Sequence, residues 1–314
     1  MYILLIVFMY ALWSSVFSLS KLALQCSPPI FLTGFRMTAA GLIILVYLFF
    51  KDRYLFKMNI KQYFSLFILS IFSIYLTNIL EMWGLQYLST AKTCFIYSFS
   101  PFFAAFFSYL HFGETMNIRK WLGLFIGLLG FIPVLLNQTD LENFLNAFSF
   151  ISWPSLAIIG AALCSVYGWV LLRLIVKNSV MSPVMANGVS MLIGGIIALV
   201  HSFFTEIWEP IPVSINNLVP FIKGNLIMIF ISNIVCYNIY GFLLKRFTAS
   251  FLSFFGLLSP FFASFSGWFL IGEVFSLSIF LASGIVVIGL WIVYHAELKQ
   301  GYVISDKQAS MSPT

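Results

Sequence analysis

YSFSPFFAAFFSYLHFGE, from Tyr97 to Glu114, is written again as GLLSPFFASFSGWFLIGE, from Gly256 to Glu273. At a displacement of 159 positions Ser100, Pro101, Phe102, Phe103, Ala104 and Phe106 fall on Ser259, Pro260, Phe261, Phe262, Ala263 and Phe265. Gly113, Glu114 and Gly130 fall on Gly272, Glu273 and Gly289. Earlier in each half, GFRMTAAGLII from Gly34 resembles GVSMLIGGII from Gly188. Self-similarity at a fixed displacement is the signature of a tandem duplication.

The composition says where such a unit sits. Of 314 residues, 61% are hydrophobic and 8% charged, and the mean hydropathy is +1.02, far from the charge content of a soluble domain. About 20 apolar helical residues cross a hydrocarbon core of roughly 30 Å. Ten such runs can be drawn, at 2–20, 29–50, 62–87, 90–111, 120–137, 153–176, 182–204, 218–244, 248–271 and 276–296. They are long and continuous, unlike the short alternating strands of a membrane barrel. The expected fold is an all-α integral membrane protein of ten transmembrane helices. It divides into a first repeat at 1–137, a linker at 138–152, a second repeat at 153–296 and a polar tail at 297–314. No basic residue precedes the first run and no small-residue cleavage site follows it, so it reads as a span and not a signal peptide.

Basic residues cluster in the even-numbered connections: Lys51, Arg53, Lys57 and Lys61, then Arg119 and Lys120, Arg173 and Lys177, Lys245 and Arg246, with Lys299 and Lys307 in the tail. The long odd connections, NQTDLENFLNAFSFIS and TEIWEPIPVSINN, hold no Lys or Arg. The positive-inside rule then puts both termini in the cytoplasm. The net charge of +6 is an orientation signal, and no nucleic-acid partner is implied. Five spans per repeat is an odd number, so the second copy enters the membrane inverted. Inverted bundles around an axis in the membrane plane can open a central cavity to each side in turn. Pro101 and Pro260 each remove a helix hydrogen bond, a device for packing or for gating.

Two halves, each with a PFFA…GE fourth helix and a Gly-rich fifth (GLFIGLLGFIPVLL from Gly123, ASGIVVIGLWIVY from Ala282), resemble the drug/metabolite transporter superfamily in its EamA-domain branch. The pair Phe35-Arg36 and the segment WGLQYLSTA, Trp83 to Ala91, add to the resemblance, which covers nearly the whole chain. It implies a secondary transporter or exchanger with a central cavity, a small-molecule substrate and no cofactor. It also implies a multi-pass position in a plasma membrane, the inner membrane if the source is bacterial, as a monomer or homodimer within the lipid bilayer. Members of the family carry amino acids, S-adenosylmethionine, nucleotide sugars, sugar phosphates and other organic solutes, so family does not name substrate.

Four basic residues fall outside the cytoplasmic set: Lys21, Arg36, Lys92 and Lys223. The one acid inside a span is Glu81. An ionisable group in a membrane span is a functional candidate by default. Arg36 lies roughly 10 Å along helix two, Glu81 roughly 9 Å from the end of helix three and Lys223 roughly 7 Å down helix eight. Lys21 and Lys92 are close enough to the surface to snorkel. For Arg36 three roles stay open: snorkelling, a structural ion pair with Glu81, and binding of a substrate anion. In the second half the positions of Arg36, Glu81 and Lys92 hold Ser190, Tyr240 and Phe251, so the charges look added to a symmetric frame. Asn78 and Glu81 share a helix face with Tyr75 and Trp83 near them. Tyr97, Tyr237, Asn238, Asn225, Asn233, Trp13 and Ser14 complete the candidate binding set, and no metal site is suggested.

An excess of cationic groups favours a substrate with a carboxylate or phosphate, which Arg can grip through its fork. Glu81 could balance an amine or exchange a proton. A zwitterion with a flat apolar part fits: an aromatic amino acid or an S-adenosylmethionine-like molecule, with a nucleotide sugar or sugar phosphate as the alternative. An enzyme is disfavoured because His111, His201 and His295 fall near span ends, away from Glu81. No GxxxxGK[ST] loop is present for ATP-driven transport. Cys26, Cys94, Cys164 and Cys236 form no CxxC or Cys/His cluster. A channel or a lipid-handling scaffold is the non-carrier alternative.

Overall fold

The computed structural model describes residues 2–88, 90–130, 152–178, 181–271 and 278–301. Among them there is no β-strand. The first half contains α1 (Tyr2–Ala23), α2 (Pro29–Lys51), α3 (Ile60–Tyr87), α4 (Thr90–Tyr97), α5 (Ser100–Phe112) and α6 (Ile118–Leu129). The second contains α7 (Trp153–Asn178), α8 (Pro183–Thr205), α9 (Ile215–Leu243), α10 (Ala249–Phe255), α11 (Ser259–Ile271) and α12 (Ser278–Lys299). Eight helical segments among the described residues are long and apolar enough to cross a membrane.

Backbone irregularities recur at the sequence displacement. α3 is π-helical over Ser70–Leu76 and α9 over Ile229–Cys236, so the two wide turns begin 159 positions apart. In α3 the Thr77 hydroxyl donates back to the Phe72 carbonyl at 2.7 Å, five residues earlier. The break between α4 and α5 and the 3-10 turn Gly256–Leu258 between α10 and α11 also correspond. The two prolines stand at helix starts. Pro101 lies in the first turn of α5, where its missing N–H is not needed, and Pro260 is the second residue of α11. Gly113 closes α5 at φ 65°, a left-handed conformation that a Cβ would strain; Glu273, its neighbour's counterpart, lies outside the described residues.

The packing is exchanged between halves. α1 packs on α9 and α11, and α7 packs in the same way on α3 and α5. α4 touches α11 and α5 touches α10, while α2 runs along α8 and α6 along α12. The α2–α8 approach depends on two glycines. A Cβ on Gly41 would meet the Leu192 nitrogen at 2.5 Å, and one on Gly195 would meet the Thr38 nitrogen at 2.4 Å. Without a hydrophobic driving force between helices in lipid, such small-residue contacts supply the attraction.

Helix ends tie the bundle across. The carboxylate of Glu206 accepts from the Ile30 and Phe31 N–H groups at 2.9 and 2.8 Å, so the end of α8 caps the start of α2. Ser202 donates to the same carboxylate at 2.7 Å and receives the Trp208 indole N–H at 3.1 Å. At the opposite end Arg173 of α7 pairs with Glu114 at 2.7 Å, and Lys120 of α6 pairs with Glu297 of α12. Lys120 and Arg173, read from the sequence as loop charges, are buried and paired, with Arg173 also lying over the Phe112 ring at 4.3 Å.

Candidate functional site: a central cavity with a polar and an aromatic wall

A cavity opens between the halves, with polar side chains converging on an otherwise apolar lining. It is lined from α1, α2, α3, α7 and α9 and from the two helix breaks, α4 to α5 and α10 to α11.

The polar wall belongs to the first half. Arg36 is 2% exposed; its Nη2 donates to Asn78 Oδ1 at 2.7 Å, its Nη1 points to Met228 Sδ at 3.8 Å, and its Nε has no partner. Asn78 donates its own amide to the Ile74 carbonyl at 2.8 Å, which fixes the oxygen it offers Arg36. One turn on, Glu81 accepts a 2.5 Å hydrogen bond from the Tyr97 hydroxyl through Oε2. Arg36 and Glu81 thus face one space without forming an ion pair.

The aromatic wall comes from α1, α7 and α9. Trp13 lies 5.6 Å from Trp169, 5.3 Å from Tyr237 and 5.8 Å from Tyr240, ring centre to ring centre. Trp169 lies 5.0 Å from Tyr237 and 4.2 Å from Tyr240. Tyr10 joins at 6.4 Å from Trp13 and donates its hydroxyl to the Leu252 carbonyl at 2.9 Å. Hydroxyls of Ser14, Ser100, Ser165, Ser232, Ser253 and Ser259 are set between the walls.

Of the residues proposed from sequence, Arg36, Glu81, Asn78, Tyr97, Tyr237, Trp13 and Ser14 meet in this cavity. Three do not. Trp83 is 37% exposed and meets Tyr87 at a 60° tilt; Lys223 is exposed on α9; Asn238 bonds to Asn187 and to the Ile234 carbonyl. Trp83 is two residues from Glu81 and so is turned about 200° around α3, Asn238 is one residue from Tyr237, and Lys223 lies on α9 ahead of the stretch that lines the cavity. Nearby, Tyr75 turns to His201 at 3.1 Å, Asn225 is buried against its own helix, and Asn233 donates to Met37 Sδ at 3.0 Å. Lys21 donates to the Leu88 carbonyl at 3.3 Å, a tie between helices; the side chain of Lys92 lies outside the described residues.

Sequence reading missed Tyr10, Trp169, Ser165, Ser232 and Ser253, and it used Tyr240 only as a counterpart. A signal for several was available. Tyr10 and Trp169, Asn78 and Tyr237, Glu81 and Tyr240, Tyr97 and Gly256, and Ser100 and Ser259 all line the cavity and all stand 159 positions apart. The repeated Ser-Pro has a double use: its proline opens a new helix and its serine faces the cavity.

The model of the EamA-like transporter family matches residues 1–136 and 152–295. The chain is 41% identical over 303 residues to a protein of Chlamydia muridarum named S-adenosylmethionine/S-adenosylhomocysteine transporter, covering 94% of this chain and 92% of that one. It is 39% identical to a protein of the same name from Chlamydia trachomatis serovar D, over 94% and 90% of the two. A crystal structure 14% identical in sequence superposes with a TM-score of 0.71, covering 94% of this chain and 97% of the other, and shares the fold.

Proposed function

The chain belongs to the EamA-like transporter family, and from that premise we propose that it exchanges S-adenosylmethionine for S-adenosylhomocysteine by alternating access. The observation that carries this reading is the unpaired placement of Arg36 and Glu81 in one cavity. A zwitterionic amino-acid end needs an anion receptor and a cation receptor a few ångströms apart, both already desolvated and neither consumed by the other. Arg36 takes the carboxylate with its guanidinium fork, steadied by Asn78. Glu81, steadied by Tyr97, takes the ammonium. The aromatic wall supplies flat apolar faces for the adenosine part. The names of the chlamydial relatives support the same substrate pair.

In this reading ten spans form two inverted repeats, 1–137 and 153–296, with both termini in the cytoplasm of a cell whose inner membrane holds the protein. The recurrence of π-helical turns, helix breaks and lining residues at one displacement supports the repeat. The exchanged packing of α1 and α7 supports the inversion. The ion pairs Glu114–Arg173 and Lys120–Glu297 then close the cytoplasmic end, and transport requires them to part.

Counterflow tests the proposal. Proteoliposomes loaded with unlabelled S-adenosylhomocysteine are expected to take up labelled S-adenosylmethionine saturably, and empty ones to take up little. Equal, non-saturating entry into both would make the protein a channel. Saturable counterflow of amino acids or sugar phosphates alone would replace the substrate.

A further inference from the structure

We infer that the aromatic wall is a subsite for a positively charged sulfur, and that it lets the protein tell a sulfonium from a thioether. The inference rests on the substrate reading above and deepens it. S-adenosylmethionine carries three charges, a carboxylate, an ammonium and a sulfonium, whereas S-adenosylhomocysteine carries only the first two. The cavity lining offers two charged side chains, Arg36 and Glu81, and the amino-acid end occupies both. No further carboxylate lines the cavity to meet the sulfonium.

The second half provides another kind of receptor. At the positions corresponding to Asn78 and Glu81 it has Tyr237 and Tyr240, and opposite Tyr10 it has Trp169. Trp13 meets Trp169 at 84°, Tyr240 at 77° and Tyr237 at 52°, so the rings turn faces in several directions around one corner. A ring face is the negative pole of its quadrupole, and several faces around a desolvated cation form the cage that binds methylated ammonium groups. A sulfonium has the same charge and a similar skin of polarised methyl and methylene groups. Tyr237 lines the same cavity as Arg36 and Glu81, so the cage begins beside the amino-acid receptor. The sulfur of the substrate is three bonds from the amino-acid carbon, so its receptor must lie beside the amino-acid receptor in the same cavity, as this wall does.

The test is equilibrium binding of S-adenosylmethionine and S-adenosylhomocysteine to the purified full chain, in wild type and in Trp169→Leu and Trp169→Phe. Trp169→Leu is expected to weaken S-adenosylmethionine about tenfold and S-adenosylhomocysteine by less than about twofold, with Trp169→Phe restoring most of the ratio. An equal loss for both ligands overturns the inference, because the ring would then stack on the shared adenosine. Should Trp169→Leu fail to fold, Trp13→Leu reads the same wall. Trimethylsulfonium, with dimethyl sulfide as its neutral control, separates this inference from the substrate reading. Saturable tryptophan quenching by trimethylsulfonium alone, in a protein that binds neither adenosyl ligand, would keep the cage and sink the substrate. Binding of both adenosyl ligands with no trimethylsulfonium response and an unchanged ratio in Trp169→Leu would keep the substrate and sink the cage.

Discussion

Arg36 and Glu81 look into the same cavity from neighbouring helices, yet each is held by a neutral partner, Asn78 at 2.7 Å and Tyr97 at 2.5 Å. Two opposite charges that do not neutralise each other are a receptor in waiting for a molecule that carries both signs. Arg36→Ala is therefore expected to lower substrate affinity by roughly a hundredfold, and Arg36→Lys to recover only part of it, since an ammonium lacks the planar fork. Isothermal titration of correctly folded variants measures this. Near-wild-type affinity in Arg36→Ala would remove the residue from the site.

Glu81→Gln keeps the hydrogen bond to Tyr97 sterically possible and removes the charge. It is expected to cut affinity for the amino-acid substrate by about tenfold or more while leaving des-amino analogues unaffected. Any pH dependence of exchange carried by this carboxylate should vanish with it. A pH profile unchanged by Glu81→Gln would show that the proton, if one moves, moves elsewhere.

The pair Glu114–Arg173, with Arg173 buried and Glu114 nearly so, lies at the end of the bundle opposite Glu206. Removing one partner leaves the other charge without its counter-ion, so Glu114→Gln should destabilise the closed arrangement by roughly 3 kcal/mol. The double variant Glu114→Gln with Arg173→Gln should recover part of that loss. Thermal unfolding in detergent of the two single variants and the double one gives the coupling. Additive losses would mean that the two side chains do not act as a pair.

Gly41 and Gly195 let α2 and α8 touch backbone to backbone, at distances where a Cβ would sit 2.5 and 2.4 Å from a main-chain nitrogen. The obstacle is backbone and cannot step aside as a flexible side chain would. Gly41→Leu and Gly195→Leu are expected to abolish folded protein, and Gly195→Ala to lower thermal stability by several degrees. Gel filtration and unfolding curves decide it, and a stable Gly195→Leu would show that the helices can separate.

The helical, membrane-spanning character was readable because it is written in composition, in long apolar runs of which eight among the described residues are long enough to cross a membrane, while the match of SPFFA at Ser100 and at Ser259 is what suggests a repeat. Arg36, Glu81 and Asn78 were readable because a charged or amide side chain in a span has few other uses. Trp169 was hidden among many aromatics with no local mark of its own. Lys223 and Trp83 were misplaced for a different reason: Lys223 is on an exposed face of α9 and Trp83, two residues from Glu81, is on the far side of α3. π-helical turns at Ser70 and Ile229 have no simple sequence signature, yet they rotate everything after them, including Asn78 and Tyr237 into the cavity.

Charge bookkeeping across one exchange cycle gives the last prediction. S-adenosylmethionine bears a net charge of +1 near neutral pH and S-adenosylhomocysteine bears none. If Arg36 and Glu81 keep their charges throughout, each exchange of one for the other moves one positive charge across the membrane. Moving a unit charge through 100 mV is worth about 2.3 kcal/mol, so a potential of that size should shift the equilibrium distribution ratio about fiftyfold. In proteoliposomes with an imposed potassium diffusion potential, an inside-negative voltage should speed S-adenosylmethionine entry against S-adenosylhomocysteine and leave homo-exchange of either ligand unchanged. If Glu81 instead takes up a proton on the return leg, the exchange becomes electroneutral, responds to a pH gradient in place of a voltage, and becomes voltage-driven again in Glu81→Gln.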